Sequence, residues 1–267
     1  MEVWILIVIG AALITTIAIA TWTLRLRVST RVLRDPEEFE HIITIDDFEI
    51  FYQDVGTGPA LLFLHGIGAS TFTWRHQLSE FSKTHRLVIP DLPGFGRSSK
   101  LTNKKYDLES QRDRMLEFID KLKLQEVVVV GSSMGGLIAI SIAQARPRMV
   151  KKLVLLAPAT EPSLVPKGLY QASWTVHLIQ PAITKRTIEM IMRSVNANPE
   201  AINEKTIAKY YEPYQDKRAM QTFVKATQTI RFKKTKALLK SVETPTLILY
   251  GAKDKRVPRW VIDRLTK

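Results

Sequence analysis

The sequence predicts an α/β protein: a mostly parallel central sheet with helices on both faces, one helical cap inserted late, and an apolar helix in front. Three observations predict it. Short apolar runs of strand length alternate with segments of helical spacing. The clearest run, Val127-Val128-Val129-Val130, leads straight into Gly131-Ser132-Ser133-Met134-Gly135 and then a helix of small residues. Between Ala157 and Thr246 the alternation stops for nearly ninety residues, too long for a plain connection in a compact domain.

The chain opens with a candidate membrane span. From Val3 to Leu24 no residue is charged, and 22 residues at ~1.5 Å each reach about 33 Å, enough to cross a ~30 Å hydrocarbon core. Trp4 and Trp22 lie near its ends, where indoles favour the interface. Ala18-Ile19-Ala20 resembles a cleavage site. However, Glu2 is the only charge ahead of the run, where a secretory leader carries basic residues, so a retained anchor is expected. Arg25, Arg27, Arg31 and Arg34 follow the span, which by the positive-inside rule places the globular part in the cytoplasm. Residues 25–40 read as a juxtamembrane linker, broken at Asp35-Pro36.

The globular part is expected over residues 41–267. His41 to Ile45 and Glu49 to Asp54 read as two antiparallel opening strands, and Gly56-Thr57-Gly58-Pro59 as a turn. Ala60 to Leu64, Arg86 to Pro90, Glu126 to Val130, Lys152 to Ala157 and Thr246 to Tyr250 have the length and apolarity of buried strands. Met115, Phe118, Ile119 and Leu122 give Leu108 to Leu122 helical spacing. Leu137 to Ala145 is a second helix, closed by Pro147. The interruption, about residues 160–240, carries helical patterns such as Ile188-Ile191-Met192 and reads as the cap.

Composition narrows the chemistry. With 45% apolar and 24% charged residues the chain can bury a core. The absence of cysteine excludes disulfide staples, zinc–thiolate sites and a cysteine nucleophile. Most of the formal +13 charge falls late: from Thr160 onward 20 Lys/Arg face 9 Asp/Glu. A solvated basic surface explains this, as does attraction to anionic lipid. No recognition motif accompanies the charge, so nucleic acid is not the expected partner.

Ser133 is the expected nucleophile. A serine between two glycines, at a sharp strand-to-helix bend, has its oxygen lifted clear of the sheet, and the glycine spacing selects Ser133 over Ser132. Acyl transfer also needs donors for the developing oxyanion. The expected pair is the backbone N–H of Met134, after the nucleophile, and of Ile67, in the loop His65-Gly66-Ile67-Gly68. His65 precedes the nucleophile at a strand end and is expected to brace that loop.

Leu64-His65-Gly66, Asp91-Leu92-Pro93-Gly94-Phe95-Gly96-Arg97-Ser98 and Gly131-Ser132-Ser133-Met134-Gly135-Gly136 together resemble the α/β-hydrolase superfamily, over roughly residues 42–267. With its anchor, basic flank and cap, the chain is similar to membrane-anchored monoacylglycerol lipases and related esterases. Around Gly68-Ala69-Ser70 and Trp74 it also resembles carbon–carbon bond hydrolases of aromatic degradation. Dehalogenase and epoxide hydrolase branches carry an aspartate nucleophile, so Ser133 argues against both. The resemblance implies that Asp254, in Gly251-Ala252-Lys253-Asp254-Lys255-Arg256-Val257-Pro258, is the acid that orients an imidazole. Glu161 is a distant second, and Asp91 belongs to a structural loop. Chain order in this fold is Ser, Asp, His, yet His41, His65, His76, His85 and His177 all precede Asp254. The catalytic histidine is therefore expected beyond residue 267, with His177 a poor substitute, and the 267-residue chain is expected to be poorly active or inactive.

These readings imply a serine hydrolase of the carboxylesterase or lipase kind, acting on an ester of lipid-like character and needing no metal or organic cofactor. Leu169, Tyr170, Trp174 and Leu178 are expected to roof the pocket. The alternatives are a carbon–carbon bond hydrolase or acyltransferase using the same serine, and an anchored, non-catalytic binding module.

Overall fold

A computed structural model describes residues 39–161, 180–196, 198–230, 242–254 and 256–265. The expected anchor at 3–24 and most of the linker to residue 40 lie outside these residues, as do Leu169, Tyr170, Trp174, His177 and Leu178. Among the described residues no helix is long and apolar enough to cross a membrane.

Among the described residues seven strands form one sheet: β1 (Glu40–Ile45), β2 (Phe48–Val55), β3 (Ala60–Leu64), β4 (Arg86–Pro90), β5 (Val127–Ser132), β6 (Val150–Leu156) and β7 (Thr246–Leu249). Their order across the sheet is β1-β2-β4-β3-β5-β6-β7. β2 runs antiparallel to β4, and every neighbouring pair from β4 to β7 is parallel. The opening hairpin turns at Asp46-Asp47, both at positive φ (44° and 67°), as a two-residue type I′ turn requires.

The strand sequences are nearly continuous in apolar residues because both faces are buried. Side chains alternate between faces with period two. Leu62, Leu64, Val88, Val127 and Val129 enter one core, and Leu61, Phe63, Leu87, Ile89 and Val130 enter the other. The first core is closed by α2 (Leu108–Lys121) and α3 (Met134–Ala145), and the second by Trp74 and α1 (Arg75–Phe81). α2 starts on Asp107, whose carboxylate accepts the Ser110 N–H at 2.8 Å, and it buries Leu108, Gln111, Met115, Phe118 and Ile119 along one stripe. α3 is different: every residue from Met134 to Ala143 is buried, so small residues are required for it to lie close to the sheet.

The inserted stretch is helical where it is described, with α4 (Lys185–Val195), α5 (Glu204–Tyr211) and α6 (Ala219–Thr229). Among the described residues, three long-range hydrogen bonds tie this stretch to the sheet's loops. Thr222 Oγ1 donates to Gly94 O (2.8 Å), Tyr214 Oη to Gly68 O (3.2 Å) and Lys225 Nζ to Thr102 O (2.7 Å). After β7, α7 (Arg259–Leu265) packs Val261 and Ile262 against Ile248 and Ala157.

Candidate active site

Ser133 sits between the end of β5 and the first residue of α3, with φ 51° and ψ −116°. That is a strained conformation for a residue with a side chain, and the surrounding backbone holds it there. Its N–H donates to Leu156 O (3.0 Å), and its carbonyl accepts from Gly136 (3.0 Å) and Ala159 (3.1 Å). The hydroxyl does not cap α3, and among the described residues nothing hydrogen-bonds it.

The glycines around it are there for space. A Cβ on Gly131 would lie 2.4 Å from Gly135 O, and one on Gly135 only 2.2 Å from Leu64 O. These distances are below any real Cβ contact, so the bend closes only if both stay bare. Gly66 is part of the same constraint, since a Cβ there would meet the Ser133 Cβ at 3.2 Å.

The loop facing Ser133 is a turn over Gly66-Ile67-Gly68-Ala69. Ala69 N–H donates to Gly66 O (3.2 Å), and Gly68 alone of the central pair has positive φ (70°), as a type II turn demands. Ile67 N–H makes no hydrogen bond among the described residues. Met134, as the first residue of α3, has an N–H without an intrahelical acceptor.

Below this turn lie His65 and Asp91, both with no exposed surface. Leu92 N–H donates to His65 Nε2 (2.9 Å), so the ring proton is on Nδ1, which donates to Gly66 O (2.7 Å). Burial pushes the His65 pKa down to about 4; the ring stays neutral and braces the loop. Asp91 accepts the Thr71 N–H (2.5 Å) and Arg97 N–H (2.6 Å), tying two loops together. Burial outweighs these donors and raises its pKa to about 6. Neither residue lines a cavity with Ser133.

Asp254 follows β7 in a turn closed by its own N–H donating to Gly251 O (3.0 Å). Its Oδ1 accepts the N–H groups of Arg256 (2.7 Å) and Val257 (3.0 Å), which fixes the carboxylate and leaves Oδ2 without a partner among the described residues. Glu161, the weaker candidate, is paired with Arg264 at 3.2 Å.

A cavity of about 460 Å³ opens over Ser133 and the facing turn, with Asp254 and Glu161 outside its lining; its size is within the usual range for a small-molecule site. Ile67, Gly68, Ser133 and Met134 form its floor. Arg256 and Val257 bring the Asp254 turn to one side, and Ile188, Ile191, Met192, Val195, Tyr214 and Phe223 form the cap wall. No histidine lines it among the described residues, nor do any three His, Asp or Glu side chains there form a cluster able to hold a metal ion.

Residues 59–267 match the family model described as alpha/beta hydrolase fold. The chain belongs to that family. Among α/β hydrolases it is 27% identical over 233 residues to an uncharacterized hydrolase of Bacillus subtilis, covering 83% of each chain. It is 32% identical over 124 residues to the 2-hydroxymuconate semialdehyde hydrolase of a Pseudomonas species, spanning 45% of this chain and 44% of that one. The crystal structure of a bacterial membrane phospholipase A superposes with a TM-score of 0.70 at 23% identity, covering all of this chain and 87% of the other. That last likeness is one of fold.

Two residues of this α/β-hydrolase site carry no local sequence signal. Tyr214 and Phe223 reach the floor from the cap, and nothing local marks them among other cap aromatics. Arg256 lines the cavity as well, and its signal is its place two residues past Asp254 in the same turn. Trp74 is buried against Phe63, with ring centroids 5.0 Å apart, and is a packing residue.

Proposed function

We propose that the chain is a serine hydrolase that cleaves a carboxylic ester of lipid-like character through an acyl-enzyme on Ser133. The observation that carries this reading is the Ser133 hydroxyl, held at a strained bend in one cavity with the Ile67 and Met134 backbone amides, none of the three hydrogen-bonded among the described residues. As a base removes its proton, Oγ attacks the carbonyl carbon and the negative charge on the carbonyl oxygen meets the two amides. The tetrahedral intermediate collapses, the leaving alkoxide takes the proton, and water repeats the sequence on the acyl group. The base is a histidine oriented by the open Oδ2 of Asp254, and His41, His65, His76 and His85 do not line the cavity.

The cavity wall is mostly aliphatic and aromatic, which suits an acyl chain. Hydrolysis of p-nitrophenyl esters of increasing chain length tests this in the full-length protein. Turnover that disappears in Ser133→Ala and improves with chain length supports the reading. Turnover that survives Ser133→Ala contradicts it. The local likeness to a semialdehyde hydrolase favours a second reading, carbon–carbon cleavage by the same serine. A ring-cleavage semialdehyde consumed faster than any ester selects that one, and product analysis with an added alcohol separates acyl transfer from hydrolysis.

A membrane location completes the proposal: residues 3–24 span the bilayer once, the hydrolase domain faces the cytoplasm, and its basic cap meets anionic lipid. The uncharged run and the arginines after it support this, as does the name of the membrane phospholipase. Alkaline carbonate should leave the protein in the membrane pellet and release a variant lacking residues 1–40. Release of both contradicts the anchor.

A further inference from the structure

A cap hydroxyl is hydrogen-bonded to the floor of the cavity. Tyr214 lies in the short 3₁₀ turn Glu212–Gln215 between α5 and α6 and packs with Met220, Val224 and Phe223. Its Oη donates to the carbonyl of Gly68 at 3.2 Å, across 146 positions of sequence. Gly68 is the left-handed residue of the turn that presents Ile67 N–H. The space where a side chain on Gly68 would stand is already filled, with Tyr214 Oη 2.5 Å and the Phe223 ring 3.0 Å from an ideal Cβ. Turn and cap are therefore built against each other.

A type II turn of this kind has one internal hydrogen bond, Ala69 N–H to Gly66 O, and a glycine that can rotate. From the sheet side it is restrained by His65 Nδ1–H on Gly66 O. From the cap side, among the described residues, Gly68 O is held by Tyr214. Rotation of the peptide after Gly68 would break that bond, and the motion would carry into Ile67, one residue away.

We infer that Tyr214 is a positioning residue: by donating to Gly68 O it locks the turn so that Ile67 N–H points at the site of the developing oxyanion. This rests on the serine-hydrolase reading above and adds to it a dependence of the oxyanion site on the cap. Burial raises the Tyr214 pKa to about 12, so the proton is present to donate at any ordinary pH. With its one proton on Gly68 O, Tyr214 acts through the turn and is not itself a donor to substrate.

Tyr214→Phe removes the hydroxyl and keeps the ring, so Phe223 and Met220 keep their neighbour. In the full-length protein, this variant is compared with wild type and Ser133→Ala for p-nitrophenyl ester turnover and for amide hydrogen exchange over residues 65–70. The expected result is a fall in kcat of roughly 10- to 100-fold with KM within about twofold. Exchange at residues 66–70 should accelerate while β3 stays unchanged. Equal kcat and equal exchange in Tyr214→Phe and wild type would overturn the inference with the hydrolase reading intact. So would a loss that appears as KM alone, because that marks a substrate contact. Wild-type protein with no Ser133-dependent turnover removes the hydrolase reading itself, and the inference with it. A more disruptive variant, Tyr214→Leu, should show the same exchange change and a lower melting temperature, which separates packing from positioning.

Discussion

His65 and Asp91 are both fully buried, and burial drives each toward its neutral form, with opposite consequences for pH. His65 titrates near 4 in the folded chain against an ordinary 6.5. The stability it contributes is present above 6.5 and is lost as pH falls toward 4, because the unfolded state takes the proton first. Asp91 titrates near 6 against 3.8, so its contribution is present below 3.8 and lost as pH rises to about 6. Between about pH 4 and 6 the two oppose each other. Asp91→Asn removes one of them: urea midpoints measured at pH 4.5, 5.5 and 6.5 should climb more steeply with pH in the variant than in wild type. Equal slopes would contradict the burial assigned to Asp91. Glycine at 135 offers a second residue-scale test. Gly135→Ala places a methyl 2.2 Å from a backbone oxygen that cannot swing away. It should lower stability by about 3 kcal/mol, at the upper end of overpacking costs, read as a fall in melting temperature. A variant as stable as wild type would show that the bend can open.

At the scale of elements, the strands were legible because both sheet faces are buried, leaving runs such as Leu61-Leu62-Phe63-Leu64 without a polar interruption. β3, β4 and β7 appear within a residue of where apolarity puts them. The valine strand runs on through Gly131 and Ser132, and α3 begins at Met134 instead of Leu137. Glycines carry no hydrophobic signal, so periodicity alone cannot see a helix that starts on Gly135-Gly136. α1 was missed for a similar reason: Arg75–Phe81 has no fully buried residue, hence no clear apolar stripe. The bend at Ser133 was legible from the spacing of Gly131 and Gly135 behind a valine strand. Tyr214 was not, because its role depends on a contact 146 positions away. Helix capping gives the element-scale test. Asp107→Ala removes the acceptor of the Ser110 N–H at the start of α2 and should cost about 1 kcal/mol, measured by urea denaturation. A change near zero would mean that packing of Met115 and Phe118 alone fixes that helix end.

For the molecule as a whole, sheet and cap divide the labour: the sheet fixes Ser133 and the Asp254 turn, and the cap supplies an apolar wall and touches the Gly66–Ala69 turn. The most direct test of the proposed chemistry is covalent labelling of the full-length protein with a fluorophosphonate, followed by peptide mass analysis. A serine poised between a base and two amides should take up one phosphonyl group, on the peptide containing Ser133. The adduct should persist in Ser132→Ala and vanish in Ser133→Ala. An unlabelled protein, or an adduct on any other residue, would contradict the assignment of Ser133 as nucleophile.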